Sequence, residues 1–417
     1  MNILLKSVTI VDKTSKHHLK KRDVLITNGV FEKIAPNIKN PDSRKELKIK
    51  GLHISQGWFD SSVSFGEPGF EERETIENGL KTAAKSGFTA VAVNANTNPV
   101  TDSKSDILYI TSKATNHPVS LYPIGALTHQ GNGEDLAELY DMKNAGAIAF
   151  YDYQNPVKNP NLLKIALQYT QSFDGLVIAY CNENQLSNNG VVNEEVSSTK
   201  LGLKGIPALA EELHINRNLF LLEYAGGKLH IPTVSTKKSV ELIKAAKEKG
   251  LNVSCSVSIN NLMLNDNALI HFNTNLKLKP PLRTDIDKSA LINALKEGII
   301  DGITSDHNPI DIEHKKVEFD NALFGSIGLE SCFGALNTIF SIEDSIQFLT
   351  GLKPIFGIEN TPISEGEKAN ISLFNPQEDW VFQEKDIVSS SKNSALLGQY
   401  LKGKAVGIYA NKKLILN

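Results

Sequence analysis

An α/β fold is what this sequence predicts: a (β/α)8 barrel carrying a small β-sandwich domain built from both chain ends. Three observations predict it. Apolar strand-like runs alternate with helical stretches through the middle of the chain, and about eight such repeats argue for a closed parallel barrel. The two ends read differently, as short strands and turns. The length of 417 residues suits one large domain plus a smaller one better than a single small core. The expected division is a composite sandwich from residues 1–52 and 364–417 around a barrel at 53–363. A doubly wound open sheet is the competing architecture, but no Gly-x-Gly-x-x-Gly fingerprint opens a helix. Two unrelated β caps are the alternative to one sandwich.

At the N-terminus, Ile3–Leu5, Val8–Val11, Val24–Ile26 and Phe31–Ile34 are apolar or alternating, as strands are. Asn28-Gly29 between the last two is a two-residue hairpin signal. In the middle, a helix over Thr75–Ser86 precedes a strand at Phe88–Val93. Strands are then expected at Val119–Ile124, Ala147–Phe150, Leu176–Ala179, Phe220–Leu222, Val253–Val257 and Ile299–Ile303. Helices over Ser239–Lys249 and Lys288–Glu297 separate the later ones. Ala369–Phe374, Trp380–Phe382 and Ala405–Leu416 return to strand character.

Composition narrows the function classes. Hydrophobic content of 41% and charged content of 22% are those of an ordinary globular protein. A formal net charge of -3 leaves no basic footprint for nucleic acid or an anionic membrane, and the Lys20-Lys21-Arg22 run reads as a solvated loop. No apolar run approaches the roughly 20 residues that span a bilayer. The apolar start, Met1 to Lys6, is too short for a signal peptide. Cys181, Cys255 and Cys332 sit singly, so neither a disulfide framework nor a cysteine metal cluster is expected. A cytoplasmic location is the default expectation.

The most informative stretch runs from Gln56 to Gly69: strand-like Trp58-Phe59, then Asp60, Ser62 and Ser64, closed by Glu67-Pro68-Gly69. It resembles the first barrel strand of bacterial type I dihydroorotases, within the amidohydrolase superfamily. Their strand reads Pro-Gly-hydrophobic-hydrophobic-Asp-x-His-Val-His-x-Arg-x-Pro-Gly, and its two histidines hold zinc. The likeness continues along essentially the whole chain. Asn94 to Pro99 is similar to Met-Pro-Asn-Thr-x-Pro, whose substrate-binding asparagine falls at Asn96. Gly125–Thr128 and Ala145–Phe150 match the frame of strands three and four, with Asp152 at a metal-site aspartate. Leu201–Leu203, Pro207 and Ala210-Glu211-Glu212 follow the family pattern. Leu278-Lys279-Pro280-Pro281-Leu282-Arg283 and Ile300 to Pro309 are strong family signatures, the second ending the eighth strand with its general-base aspartate at Asp306. The resemblance implies an amidohydrolase-type barrel acting on cyclic amides in pyrimidine biosynthesis.

The departures cluster at ligand positions. The family's zinc histidines fall at Ser62, Ser64, Tyr180 and Thr233, and its substrate arginine at Gly66. The acidic residue after the fifth strand falls at Asn182, Pro-His-His-Leu becomes Ile259-Asn260-Asn261-Leu262, and a further histidine becomes Ile310. Catalytic zinc needs imidazoles and carboxylates near 2.0–2.2 Å. Hydroxyls are weak neutral ligands, and amides suit hard cations. No zinc is therefore expected at the degenerate set Ser62, Ser64, Asp152, Tyr180, Thr233 and Asp306, although Asp152 and Asp306 could hold a weakly bound Mg²⁺ or Ca²⁺.

The first expectation is a zinc-less, catalytically inactive homologue serving as a structural partner of aspartate transcarbamoylase, a role the resemblance implies; a homodimer is also expected. The alternative is an active cyclic amidohydrolase, dihydroorotase or hydantoinase-like, interconverting N-carbamoyl-aspartate and dihydroorotate through an altered metal set of Asp152, Asp306 and His307 or His230. A third reading binds a small anionic metabolite through Asn96 and Arg283, with His307 beside them, while a second-shell ion pair remains open for Arg283. Tyr180 is expected to fill the vacated metal cavity. His230 reads as a packed core histidine, His129 as a solvated loop residue, and Cys181 lacks a nearby base to make it a nucleophile.

Overall fold

The computed structural model describes residues 2–40 and 44–417; Met1, which opens the apolar start, and residues 41–43 of the expected sandwich lie outside the described residues. The N-terminal part forms β1 (Ile3–Val11), β2 (Lys21–Thr27), β3 (Val30–Ala35), β4 (Lys45–Leu47) and β5 (His53–Gln56). Asn28 and Gly29 both take positive φ, 52° and 83°, and turn β2 into β3, as the two-residue hairpin requires.

The barrel strands and helices follow in order: β6 (Trp58–Val63), α1 (Ile76–Lys85), β7 (Phe88–Val93), α2 (Lys104–Lys113), β8 (Ser120–Gly125), α3 (Leu139–Ala145), β9 (Ala149–Phe150), α4 (Pro160–Thr170) and β10 (Val177–Ile178). After an excursion of α5 (Asn184–Ser187), β11 (Val192–Asn193), α6 (Val196–Leu201) and β12 (Gly205–Ile206), the alternation resumes with α7 (Ala208–Ala225), β13 (Leu229–Ile231), α8 (Lys237–Glu248) and β14 (Val253–Ser258). Then come α9 (Ile259–Met263), α10 (Asp285–Lys296), β15 (Gly302–Thr304), α11 (Ile312–Lys315), α12 (Leu329–Ile339) and α13 (Ile342–Thr350). Local chemistry sets the helix starts: the Thr75 hydroxyl accepts from the Asn78 N–H at the head of α1, and Thr284 with Asp287 forms a capping box on α10.

Eight parallel strands pair in the order β15-β14-β13-β10-β9-β8-β7-β6. A parallel bridge between Val63 and His307 joins the two ends, and the Ser64 N–H donates to the His307 carbonyl at 2.7 Å. The Asp60 carboxylate fastens the same seam, accepting from Thr304 Oγ1 at 2.5 Å and the Ser305 N–H at 2.9 Å. This is the α/β barrel expected from the alternation. β16 (Ile371–Val381), β17 (Tyr400–Ala410) and β18 (Lys413–Leu416) return to the N-terminal strands as one eight-stranded sheet, ordered β18-β17-β16-β5-β1-β2-β3 with β4 on β1. Its core gathers Ile3, Ile10, Phe31, Ile54, Ile371 and Tyr409. The strands from the two termini therefore share one sheet.

One expected strand is corrected. Phe220–Leu222 lies inside the 18-residue helix α7. Its run of apolar residues is continuous because α7 is apolar outside as well as inside: Leu219 and Leu222 face the core, while Phe220 is 62% exposed. Period alone cannot separate such a segment from a buried strand.

Candidate functional site at the barrel mouth

Barrels place their chemistry at the C-terminal ends of the strands. There, Ser62 lies within β6 and Ser64 just beyond it, Asn94 and Asn96 follow β7, Tyr151 to Tyr153 follow β9, Tyr180 follows β10, Thr233 follows β13, and Asp306 follows β15. Tyr153, Thr233 and Asp306 hold left-handed backbone at φ 52°, 47° and 48°. Non-glycine residues rarely adopt that conformation, a β-branched threonine least of all, and such strain concentrates at functional sites.

The two serines are bridged by an amide. Asn94 Nδ2 donates to Ser62 Oγ at 3.1 Å and to Ser64 Oγ at 3.3 Å, while Ser64 Oγ donates to Asn96 Oδ1 at 3.0 Å. Ser62 Oγ also donates to Asp306 Oδ1 at 3.3 Å. Burial and the Asp60 charge push Asp306 up to about 7, with the Ser62 hydroxyl opposing. Tyr151, Tyr153 and Tyr180 are all raised well above ordinary phenols, chiefly by burial and further by Asp306, so they stay protonated. The Tyr153 hydroxyl is buried and lies toward Ser64 without closing a hydrogen bond of ordinary geometry. Lys279 stands at Tyr180, its Nζ 5.4 Å from the Tyr180 ring centroid and 2.9 Å from the Gln154 carbonyl. Burial lowers its pKa. Beside this cluster a cavity of about 250 Å³ is lined by Asn96, Gln130, Asp152, Tyr153, Gln154 and Asn155 among others.

The structure brings Ser62, Ser64, Asn96, Tyr180 and Asp306 to one mouth, and Tyr180 is buried in the barrel-interior cluster with Phe59 and Tyr151. Asp152 is held by Thr128, its oxygens accepting from the Thr128 N–H at 2.9 Å and Thr128 Oγ1 at 2.6 Å. The neighbouring carboxylate that raises Asp306 is Asp60. Arg283 is consumed inside the protein: it donates to Ser235 Oγ, to Asn193 Oδ1 at 2.8 Å and to the Ile206 carbonyl at 2.7 Å, and pairs with Glu211 at 4.0 Å. That is the ion-pair reading of Arg283, not the anion clamp. His307 faces the start of α12, its Nδ1 accepting from the Gly328 and Leu329 N–H groups at 3.2 and 3.4 Å; burial holds its pKa down at about 4. His230 is the packed histidine, its ring nitrogens on Ser254 and Ser256 at 2.9 and 3.0 Å. His129 is 52% exposed beside Asp102. Cys181 is buried with its thiol pushed well up, and its side-chain donor is Asn218, not a base.

Sequence reasoning missed Asp60, Asn94, Tyr151, Tyr153 and Lys279. A signal existed for two of them: Asp60 is an acid inside an apolar strand, and Lys279 sits within the Pro-Pro-Leu-Arg signature. Gly66 explains the lost arginine position in geometric terms. A Cβ there would stand 1.9 Å from the Phe70 carbonyl oxygen, because the Phe70 N–H folds back onto the Gly66 carbonyl at 2.7 Å.

The architecture matches solved hydantoinases. An L-hydantoinase (dihydropyrimidinase) from Arthrobacter aurescens superposes with a TM-score of 0.86 at 19% identity, covering 100% of this chain and 96% of that one. A D-hydantoinase from Thermus sp. gives 0.83 at 19%, covering 100% and 95%. At that identity the likeness concerns the fold. Sequence carries the family: residues 52–239 match the family described as Dihydro-orotase-like. A protein named dihydroorotase from Caldicellulosiruptor saccharolyticus is 38% identical, covering 99% of this chain and 98% of its own. Another so named, from Geobacter metallireducens, is 35% identical over 100% and 99%. The chain belongs to the dihydroorotase family.

The zinc implied by that resemblance can be tested against the side chains present. Among the described residues no three His, Cys, Asp or Glu side chains converge to hold a metal ion. The positions carry two serines already shared with Asn94, a phenol, a threonine and two carboxylates, of which Asp152 is held by Thr128. Zinc requires deprotonated carboxylates or neutral imidazoles. The donor set does not fit it.

Proposed function

We propose that this dihydroorotase-like chain is a non-catalytic member of its family, acting in pyrimidine biosynthesis as a structural partner, with aspartate transcarbamoylase the partner class. One observation carries the reading: at the strand ends where the resemblance places zinc ligands, hydroxyls and amides bond one another. Hydrolysis of a cyclic amide needs an activated water and an electrophilic clamp on the carbonyl, and Ser62, Ser64, Tyr180 and Thr233 supply neither.

A second reading has its own support. The full-length relatives are named dihydroorotases, and those names favour an active cyclic amidohydrolase. Asp306 fits a general acid–base role in such an enzyme, since a carboxyl with a pKa of about 7 is matched to proton transfer at neutral pH. The strained backbone at Tyr153, Thr233 and Asp306 also suits a working site. Elemental analysis of freshly purified protein, with a ring-opening assay on dihydroorotate with and without added divalent ions, separates the two readings. The non-catalytic reading expects no bound zinc, no turnover and co-purification with a transcarbamoylase. Turnover that disappears in Asp306→Ala establishes the hydrolase instead.

A further inference from the structure

Two buried lysines stand in the loops beyond β14 and β15 without a counter-ion. Lys315 closes α11 and Lys277 follows the turn Thr274–Leu276; they are 5% and 2% exposed. Among the described residues neither ammonium has a salt bridge. Lys277 spends its Nζ on the Phe319 and Asp320 carbonyls at 3.0 and 2.8 Å, and lies 4.9 Å from the Phe324 ring centroid. Lys315 donates once, to the Thr274 carbonyl at 3.0 Å, which leaves the rest of its three donors unspent. Burial, and then the Lys277 charge, push the Lys315 ammonium down to about 7. Like charges buried together are costly unless an anion offsets them.

A cavity lies beside these charges. It holds about 580 Å³ and is bounded by Lys315, Thr274, Ile310, Ile312 and Leu397 among others, a size that suits a small molecule. Lys316 and the Asn275 amide also border it, and among the described residues neither side chain has a protein partner. Lys392 adds a further ammonium to the wall, anchored on the Ile387 and Ser389 carbonyls at 3.0 and 2.7 Å. Acids reach the cavity at Glu72, Asp311 and Glu384. The first two face Arg73 Nε at 3.7 and 3.5 Å, which leaves Glu384 as the opposing charge, and among the described residues no carboxylate helps to hold the Lys315 charge. The donors left over are ammonium and amide N–H groups, which suit an oxyanion. Ile310, Ile312 and Leu397 offer an apolar wall to the rest of the molecule that carries it.

We infer that this cavity binds the phosphate or carboxylate group of a small metabolite, with the Lys315 ammonium as the central contact and Lys316 and Asn275 beside it. The site shares no residue with the cluster around Asp306, so the inference holds whether or not the barrel mouth is catalytic. Thermal unfolding of the full chain at fixed ionic strength, with inorganic phosphate or acetate replacing chloride, tests it. The midpoint should rise as one saturable site fills, with a Kd of about 1 mM or tighter. The ion that acts at the lower concentration identifies the group as phosphate or carboxylate. Phosphate also stabilises folded proteins by exclusion from their surface, so the variants decide. Lys315→Met should melt no lower than the wild type in chloride, and should bind the ion about tenfold more weakly. Lys316→Gln, at an exposed position, should weaken binding by a few-fold. A wild-type midpoint that saturates with neither ion overturns the inference. So does an equal response in Lys315→Met or, should that variant not fold, in Lys316→Gln/Asn275→Ala.

Discussion

Two buried polar clusters near the barrel mouth differ in how completely they are satisfied. Around Arg283, Glu211 accepts from the Ser235 and Thr236 N–H groups and from the Ser235 and Ser239 hydroxyls, while the guanidinium spends its donors on Ser235, Asn193 and Ile206. Around Asp306, the partners run short: the Tyr153 hydroxyl and Asn94 Oδ1 are buried without a hydrogen bond, and Asp306 itself accepts from Ser62 at a long 3.3 Å. A saturated network specifies structure, whereas unmet capacity in a confined place is costly and persists where something other than folding maintains it. The first cluster is scaffold. The second sits at the barrel mouth with bonding capacity unfilled.

The contrast breaks most visibly at Arg283. Arg283→Ala leaves Glu211 charged, buried and short of its cation, a change that costs about 3–5 kcal/mol; the urea midpoint should fall accordingly. A loss below about 1 kcal/mol would mean that the scaffold cluster is not one. At Asp306 the sign reverses. Its folded pKa is about 7 against an ordinary 3.8, so between those values the folded state keeps a proton that the unfolded state has released. Stability therefore falls as pH rises from about 4 to about 7. Asp306→Asn removes that slope: the variants should match near pH 4 and diverge by on the order of 2–4 kcal/mol at pH 8, with the asparagine protein the more stable. Thermal unfolding at the two pH values reads the difference.

How much of this was legible in the sequence follows from what each feature depends on. Among the barrel strands β7 announced itself most clearly, because it is buried at every position and reads as an almost wholly apolar run. The hairpin at Asn28-Gly29 was legible because its turn needs positive φ. α7 was misread at Phe220–Leu222, since the helix is apolar on its exposed side as well as in the core. At the site, residue identities gave the hydroxyls of Ser62, Ser64, Tyr180 and Thr233. They did not reveal that Asn94 spans the serines, that Asp152 belongs to Thr128, or that Arg283 is held by Asn193. Those pairings join residues 24 to 90 positions apart, and only the closed barrel brings them together.

Two smaller substitutions sharpen the comparison. Gly66→Ala places a Cβ against the Phe70 carbonyl oxygen; backbone has to move, and a cost of about 1–3 kcal/mol is expected, with Gly66→Arg no milder. An arginine tolerated there would show that the loop can open to admit a side chain at this position. The last and smallest effect belongs to Tyr153. Deleting a hydroxyl that makes bonds leaves its partner unmet, but this hydroxyl is buried without a partner of ordinary geometry. Tyr153→Phe should thus be neutral or stabilising by up to about 1 kcal/mol, measured as a shift in denaturant midpoint at unchanged slope. The ring keeps its contact with Tyr151, 6.0 Å between centroids, so packing does not confound the result. A loss instead of a gain would mean that the oxygen has an acceptor or donor at the mouth, and the second cluster would then be scaffold like the first.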